Sequence, residues 1–264
     1  MKKIAILLLA ILTFSCSDDD EKGTEEDKGQ WAMIFNETVK SDSNPVDRTE
    51  KFMFDGERLI QHIIKQRYFE EEISNEVNLS YSDNQVTVTT DYPTLVYTLN
   101  SEGYASQCVY SLSSQNRIYQ FSYSAEGYLT GIVENIDDTE YSSTSLTYEN
   151  GDITSISSKM NGLENKFIYE PGEESSKYHL PCLGLLEIHP LTFHIEALYA
   201  GLLGKDPRHF TIHSCPAGSN DEKTVYSYGF DKKGNPSRMI CQTTYAGGQA
   251  SYYPYTRNIS ISFE

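Results

Sequence analysis

From about residue 52 onward, aromatic or β-branched side chains alternate with Ser, Thr and Asn, and a period of two marks strands with one buried face. The alternation is organised as a recurring unit: an aromatic pair, an acid or Asn, a glycine-containing turn, then a second alternating run. It reads FMFDGERLIQHIIK at 52–65, YTLNSEGYASQCVYS at 97–111, FSYSAEGYLTGIVEN at 121–135, LTYENGDITSISSK at 146–159 and YGFDKKGNPSRMICQ at 228–242. LSYSDNQVTVTT at 79–90 is a version whose turn uses Asp83-Asn84. The turn glycines fall where a tight hairpin needs positive φ, which only glycine adopts at little cost. The pattern predicts an all-β fold: an antiparallel meander of repeated hairpins forming a strongly curved or barrel-like sheet. Strands are expected over most of 52–169 and 222–264, antiparallel because the connections are too short for parallel crossovers.

The stretch from Glu170 to about Asp221 departs from this grammar, and inside it a helix-containing excursion is expected near 185–205. LTFHIEALYAGLLG at 191–204 follows Pro190, tolerated at a helix start, and ends at Gly204, a usual stop. Leu191, Ile195, Leu198 and Leu202 stand at helical spacing, so a helix over 191–204 is expected to be buried over much of its surface. A curved meander exposes one apolar face unless something covers it, which predicts that this helix packs on the concave face or plugs the open end. The alternative is a partner-binding helix exposed when the excursion opens. Cys182 and Cys215 flank the excursion and are the pair expected to staple it, provided their Cα atoms come within about 7 Å.

The first thirty residues carry a different pattern. Lys2 and Lys3 precede an unbroken apolar run from Ile4 to Leu12, the proportions of a secretory signal and too short for a membrane span of about 20 residues. The run ends Thr13-Phe14-Ser15-Cys16, and a small residue before Cys resembles a lipobox, although Thr13 and Phe14 depart from its commonest form. Residues 17–30, SDDDEKGTEEDKGQ, hold seven acids, two lysines and no apolar side chain, so they cannot bury enough surface to fold. The expected organisation is therefore a signal peptide at 1–15, a lipidated Cys16 with an acidic flexible tether at 16–30, and a single β-rich domain at 31–264. The acidic run Ser17–Glu21 resembles the signal that sends Bacteroidota lipoproteins to the outer face of the outer membrane. A periplasm-facing anchor is the alternative.

The net charge of −17 disfavours binding to phosphate backbones or anionic headgroups, so contact with a membrane is expected through the lipid anchor alone. Chemical candidates are sparse. His209 and His213 share a face if they lie in a strand, but four residues separate them by about 13 Å, too far to hold one ion. His194 sits in the apolar run and reads as a structural histidine. No zinc-type cysteine spacing, HExxH or Gly-x-Ser-x-Gly occurs. Acid pairs such as Asp137-Asp138 and Glu173-Glu174 point to opposite strand faces or sit solvated in turns. No catalytic, cofactor-binding or metal-binding residue is therefore assigned. The 20 tyrosines carry two readings: stacking faces for sugars or partner side chains, and ordinary cross-strand packing.

The hairpin units resemble the tyrosine-aspartate repeats of large bacterial shell-forming toxins. With the lipobox and acidic leader, the mature chain resembles a Bacteroidota outer-membrane surface lipoprotein family of unknown function with a porin-like fold, over roughly 52–264. That resemblance implies an architecture and no activity, and it does not imply a channel. Transmembrane strands show lipid-facing apolar residues at alternate positions over about 9 to 11 residues, whereas one face of these strands is Ser, Thr, Asn or Glu. The expected function is noncatalytic: a surface-exposed lipoprotein with a binding or envelope-assembly role toward a glycan or an envelope protein. A polysaccharide-acting hydrolase with its site on loops is the alternative of a different class.

Overall fold

The computed structural model describes residues 29–40, 46–68, 71–90, 94–112, 115–180, 183–186, 188–218, 222–245 and 255–264. Cys16 and Cys182 lie outside these residues, and with them the lipid attachment and the expected Cys182–Cys215 pairing.

The described residues form sixteen strands: β1 Gln30–Lys40, β2 Val46–Asp55, β3 Arg58–Tyr68, β4 Glu71–Ser82, β5 Gln85–Thr89, β6 Thr94–Leu99, β7 Ala105–Leu112, β8 Gln115–Tyr123, β9 Leu129–Ile136, β10 Thr139–Glu149, β11 Asp152–Met160, β12 Leu163–Ser175, β13 His209–Pro216, β14 Glu222–Phe230, β15 Pro236–Tyr245 and β16 Tyr255–Phe263. Each pairs with the next in the chain, and β16 closes on β1 from Met33↔Phe263 to Lys40↔Thr256, giving a closed antiparallel barrel. The six hairpin units become β2–β3, β4–β5, β6–β7, β8–β9, β10–β11 and β14–β15, so all their turns lie at one end of the barrel. We call it the glycine-turn end. The break in the grammar is narrower than 170–221, because β12 continues to Ser175 and β13 begins at His209. Pro171 and Gly172 blurred the alternation there, and the register of β12 on β13 shifts at Pro171.

Burial alternates along the wall. Val77 and Leu79, Val86 and Val88, Tyr119 and Phe121, and Ile259 and Ile261 are buried, while Asn78 and Ser80, Gln85 and Thr89, Gln120 and Ser122, and Ser260 and Ser262 are exposed. The apolar face points mainly inward and the outer face is mostly polar, with Ile73, Leu163, Ile168, Ile212 and Val225 as exposed apolar exceptions, whereas a transmembrane barrel carries a continuous apolar outer band. Tyr97, Tyr119, Tyr169 and Tyr226 are among the buried core residues, so these tyrosines pack the wall.

The interior is filled by the excursion between β12 and β13, as expected, but not by one continuous helix. Residues 191–204 form a 3-10 turn at Leu191–Phe193, a break at His194 and a short helix at Ile195–Tyr199 (α2, after a first short helix, α1, at Leu183–Leu186). Thr192, Phe193, His194 and Ile195 are poor helix formers, and the stretch turns so that Leu191 and His194 are buried while Thr192 and Phe193 stay exposed. The helix stops at Gly201 instead of Gly204. Gly201, at φ +69°, donates its N–H to Leu198 O, and Leu202 donates to Ala197 O, which together form a Schellman cap. Leu185, Ile188, Leu191, Ala197, Tyr199, Leu202 and Leu203 are all buried in the same core as the strands. Tyr199 packs on Phe52 at 4.1 Å and Phe35 at 5.9 Å between ring centroids. Fully burying one such side chain stabilises the fold by about 1.5–3 kcal/mol, so this plug is integral to the fold.

Candidate functional site

The two limbs of the plug cross the glycine-turn end and shape its surface. The incoming limb carries Tyr178 and His179, both in the left-handed region at φ 60° and 50°, an arrangement that persists only when surrounding contacts hold it. Those contacts are visible. Tyr178 donates its hydroxyl to Asn235 Oδ1 at 2.9 Å, and Asn235 is fixed on the β14–β15 turn by its backbone N–H to Asp231 Oδ1 at 2.8 Å. His179 Nδ1 lies 3.0 Å from Asp206 Oδ1, and that hydrogen bond raises the imidazole above its ordinary value against the opposing effect of burial.

Between this limb and the start of β1 lies a cleft of about 660 Å³, lined by Trp31, Phe54, Tyr178 and Phe263, with Gln30, Glu57, His179 and Asn235 as its polar members. Trp31 stacks on Phe54 at 4.1 Å and 7°, and its indole N–H donates to Gly56 O at 2.7 Å, which locks the ring. Tyr178 stands 6.0 Å from Trp31 and 4.7 Å from Phe263. An aromatic lining with a few fixed polar groups in this size range is the usual form of a small-molecule site. The cleft is assembled from the beginning of β1, the end of β2, the β14–β15 turn, the plug limb and the end of β16. No short motif spans these segments, so sequence reasoning missed it. The available signal was the single Trp of the chain, placed directly after the acidic tether.

The far half of the lumen holds a second group of polar residues, inward-facing and bonded to one another. Glu134 accepts from Arg117 at 3.1 Å, Tyr119 at 3.2 Å and Ser142 at 2.7 Å, and pairs with His189 of the plug at 2.5 Å. Burial raises the Glu134 carboxyl, but His189 and Ser142 outweigh it and the net shift is downward. His62 of the wall bridges Glu196 of the plug at 2.8 Å and Glu50 at 2.9 Å, and Glu37 pairs with Arg257. With both nitrogens of His62 and both oxygens of Glu134 occupied, these groups hold the plug in place.

The histidines singled out in the sequence are not brought together. His209 pairs with Asp152, His213 with Glu170, and His194 is fully buried with Nδ1 2.8 Å from the Tyr97 hydroxyl. Burial lowers His194 to about 3, so it stays neutral, as a structural histidine does. Asp137 and Asp138 form the β9–β10 turn at positive φ. Cys215 lies on β13 opposite Ile168. Among the described residues no group of three His, Cys, Asp or Glu side chains is placed to hold a metal ion.

The family model described as "Domain of unknown function (DUF4595) with porin-like fold" matches residues 52–238, and the chain belongs to this family. A porin-like protein from Bacteroides uniformis is similar to it with a TM-score of 0.81 and 26% identity, covering 88% of this chain and 97% of that one. A second porin-like protein, from Bacteroides vulgatus, shares the fold at a TM-score of 0.51 and 12% identity, over 87% of this chain and 97% of its own. No curated protein matches the chain.

Proposed function

We propose that this member of the porin-like family is a noncatalytic, lipid-anchored binding protein of the outer-membrane surface that takes a glycan on the Trp31 cleft. The observation that carries this reading is the locked aromatic wall of Trp31, Tyr178 and Phe263 beside Asn235, Gln30, Glu57 and His179. Aromatic faces stack on the C–H faces of sugar rings, while amide, imidazole and carboxylate groups at the rim bond their hydroxyls. The polar outer face of the barrel suits a body standing in water and held to the membrane through Cys16. The cleft includes Gly29, where the tether would join the barrel, so the site stays within reach of the anchored surface.

Trp31 is the sole tryptophan, so intrinsic fluorescence reports on the cleft directly. Titration with neutral oligosaccharides should shift or quench that emission saturably, and Tyr178→Ala should weaken the response by roughly tenfold, about 1.4 kcal/mol. Cys16→Ser should release the protein from membranes and leave the titration unchanged. Emission that no oligosaccharide perturbs would refute the glycan reading, and acyl labelling that survives Cys16→Ser would refute the anchor.

A further inference from the structure

A second cleft, of about 720 Å³, lies at the same end, lined by Ser124, Tyr128, Tyr148, Asn150, Lys205 and Arg208 together with Glu126 and nearby turn residues. It is built by the outgoing limb of the plug, residues 204–208, which crosses two neighbouring hairpin turns in the same manner. Lys205 donates its backbone N–H to Gly127 O at 2.9 Å, and Arg208 donates to Gly151 O at 3.1 Å. Each also lays its aliphatic stem over the glycine it bonds. A Cβ on Gly127 would meet Lys205 Cε at 3.5 Å, and one on Gly151 would meet Arg208 Cγ and Cδ at 3.0 Å and the Tyr128 hydroxyl at 2.7 Å. Both glycines are at positive φ, +91° and +89°. The turn chemistry that makes the hairpins thus also makes room for two cationic side chains with constrained stems.

Among the described residues these cations are uncommitted: neither the Lys205 ammonium nor the Arg208 guanidinium joins an ion pair or a side-chain hydrogen bond, in a chain whose acids outnumber its bases 38 to 21. Asp206, between them in sequence, is taken by His179. Glu126 on the β8–β9 turn is the acid that shares the lining, and Tyr128 and Tyr148 stack at 5.0 Å to form its aromatic side.

We propose that this cleft binds a saccharide carrying a carboxylate or sulfate, with Lys205 and Arg208 on the anionic group and Tyr128 or Tyr148 against the sugar ring. Two positive charges on constrained stems favour an oxyanion, and the guanidinium fork matches its geometry. The tyrosine pair and the Asn150 amide supply what a bare inorganic anion would not need. Nucleic acid is disfavoured because the rest of the surface is strongly acidic. This site is separate from the Trp31 cleft, and neither reading depends on the other.

Calorimetric titration of the mature protein at low salt tests it, with a short oligogalacturonate, a heparin oligosaccharide, a neutral cello-oligosaccharide and inorganic sulfate as probes. The expected result is binding of an acidic oligosaccharide that Lys205→Gln with Arg208→Gln weakens by about tenfold or more, with an unchanged melting temperature because both side chains are exposed. Raising the salt to ~0.3 M should weaken it similarly. In Trp31→Ala the acidic probe should still bind, which separates this site from the first cleft. Undiminished binding in the double variant, equal affinity for the neutral probe in Trp31→Ala, or no binding of either acidic probe overturns the proposal. Sulfate binding as tightly as the oligosaccharides overturns the saccharide assignment.

Discussion

The two halves of the barrel lumen are filled by the same plug in opposite ways. Toward the glycine turns the contacts are apolar: Leu185, Leu191 and Leu203 of the plug pack in one core with Leu129, Leu146 and Ile153 of the wall. Toward the far end they are ionic and hydrogen-bonded: His62 to Glu196, Glu134 to His189, and Thr144 and Ser158 both donating to His189 O. Apolar burial supplies the driving force and is indifferent to small shifts of position. Buried charge pairs contribute little net stability, yet removing one partner is costly, because each remaining group is satisfied in one geometry only. The near half thus makes the plug stay, and the far half decides where it sits.

The sharpest way to break the near half is Leu191→Asp. Leu191 is 1% exposed, so the substitution places an unpaired carboxylate in the apolar core and should cost about 3–5 kcal/mol, measured by chemical denaturation. A variant as stable as the parent would mean that the excursion leaves the barrel readily and behaves as an exposed partner-binding segment. In the far half, Glu134→Ala strips Arg117, Tyr119, Ser142 and His189 of their common acceptor at once. The expected loss is about 2–3 kcal/mol, smaller because Arg117 and His189 retain some solvent access. Equal losses from the two substitutions would remove the distinction drawn between the halves.

The same contrast explains what the sequence discloses. Strand alternation and turn glycines are local, so β2–β3, β8–β9 and β10–β11 can be read residue by residue, and the plug is visible as an apolar run. Its interrupted helix is not legible, because the break at His194 follows from which residues the barrel buries, Leu191, His194, Ala197 and Tyr199, and that depends on the distant wall. Closure of the barrel is equally hidden: β1, outside the repeated grammar, pairs with β16 more than two hundred residues away. The Trp31 cleft and the cation pair need the limb of one excursion laid across turns contributed by distant hairpins. Lys205 and Arg208 look in sequence like ordinary surface charges, and only their placement over Gly127 and Gly151 makes them a pair. The mostly polar outer face, by contrast, follows directly from composition along each strand.

The smallest expected effect concerns pH, where His179 beside Asp206 adds a contribution of the same sign and substitution of His62 isolates the share of the far half. His62 is fully buried between Glu50 and Glu196; burial lowers its affinity for a proton, but the two carboxylate bonds outweigh that and leave the imidazole raised above 6.5. The charged groups around it are Glu50, Glu196 and, on Glu50, Arg48, with Arg257 also acting on Glu50, while Phe52 stacks on the ring at 4.1 Å. A group that binds its proton more tightly when folded stabilises the fold fully below its unfolded value, and that stabilisation is lost as pH rises through the folded value. The carboxylates run the other way. Glu50 and Glu134 are lowered below 4.5, so their contribution is present above 4.5 and is lost as pH falls through their folded values. The plug should therefore be held most firmly between about pH 4.5 and 6.5. Unfolding free energy should decline on the order of 1 kcal/mol as pH rises from that window into the alkaline range. In His62→Gln, which keeps a hydrogen-bonding side chain but cannot charge, the alkaline decline should flatten while the acid limb remains. A variant that keeps the parent's full alkaline decline would show that the clasp between Glu50, His62 and Glu196 does not set the plug's response to pH.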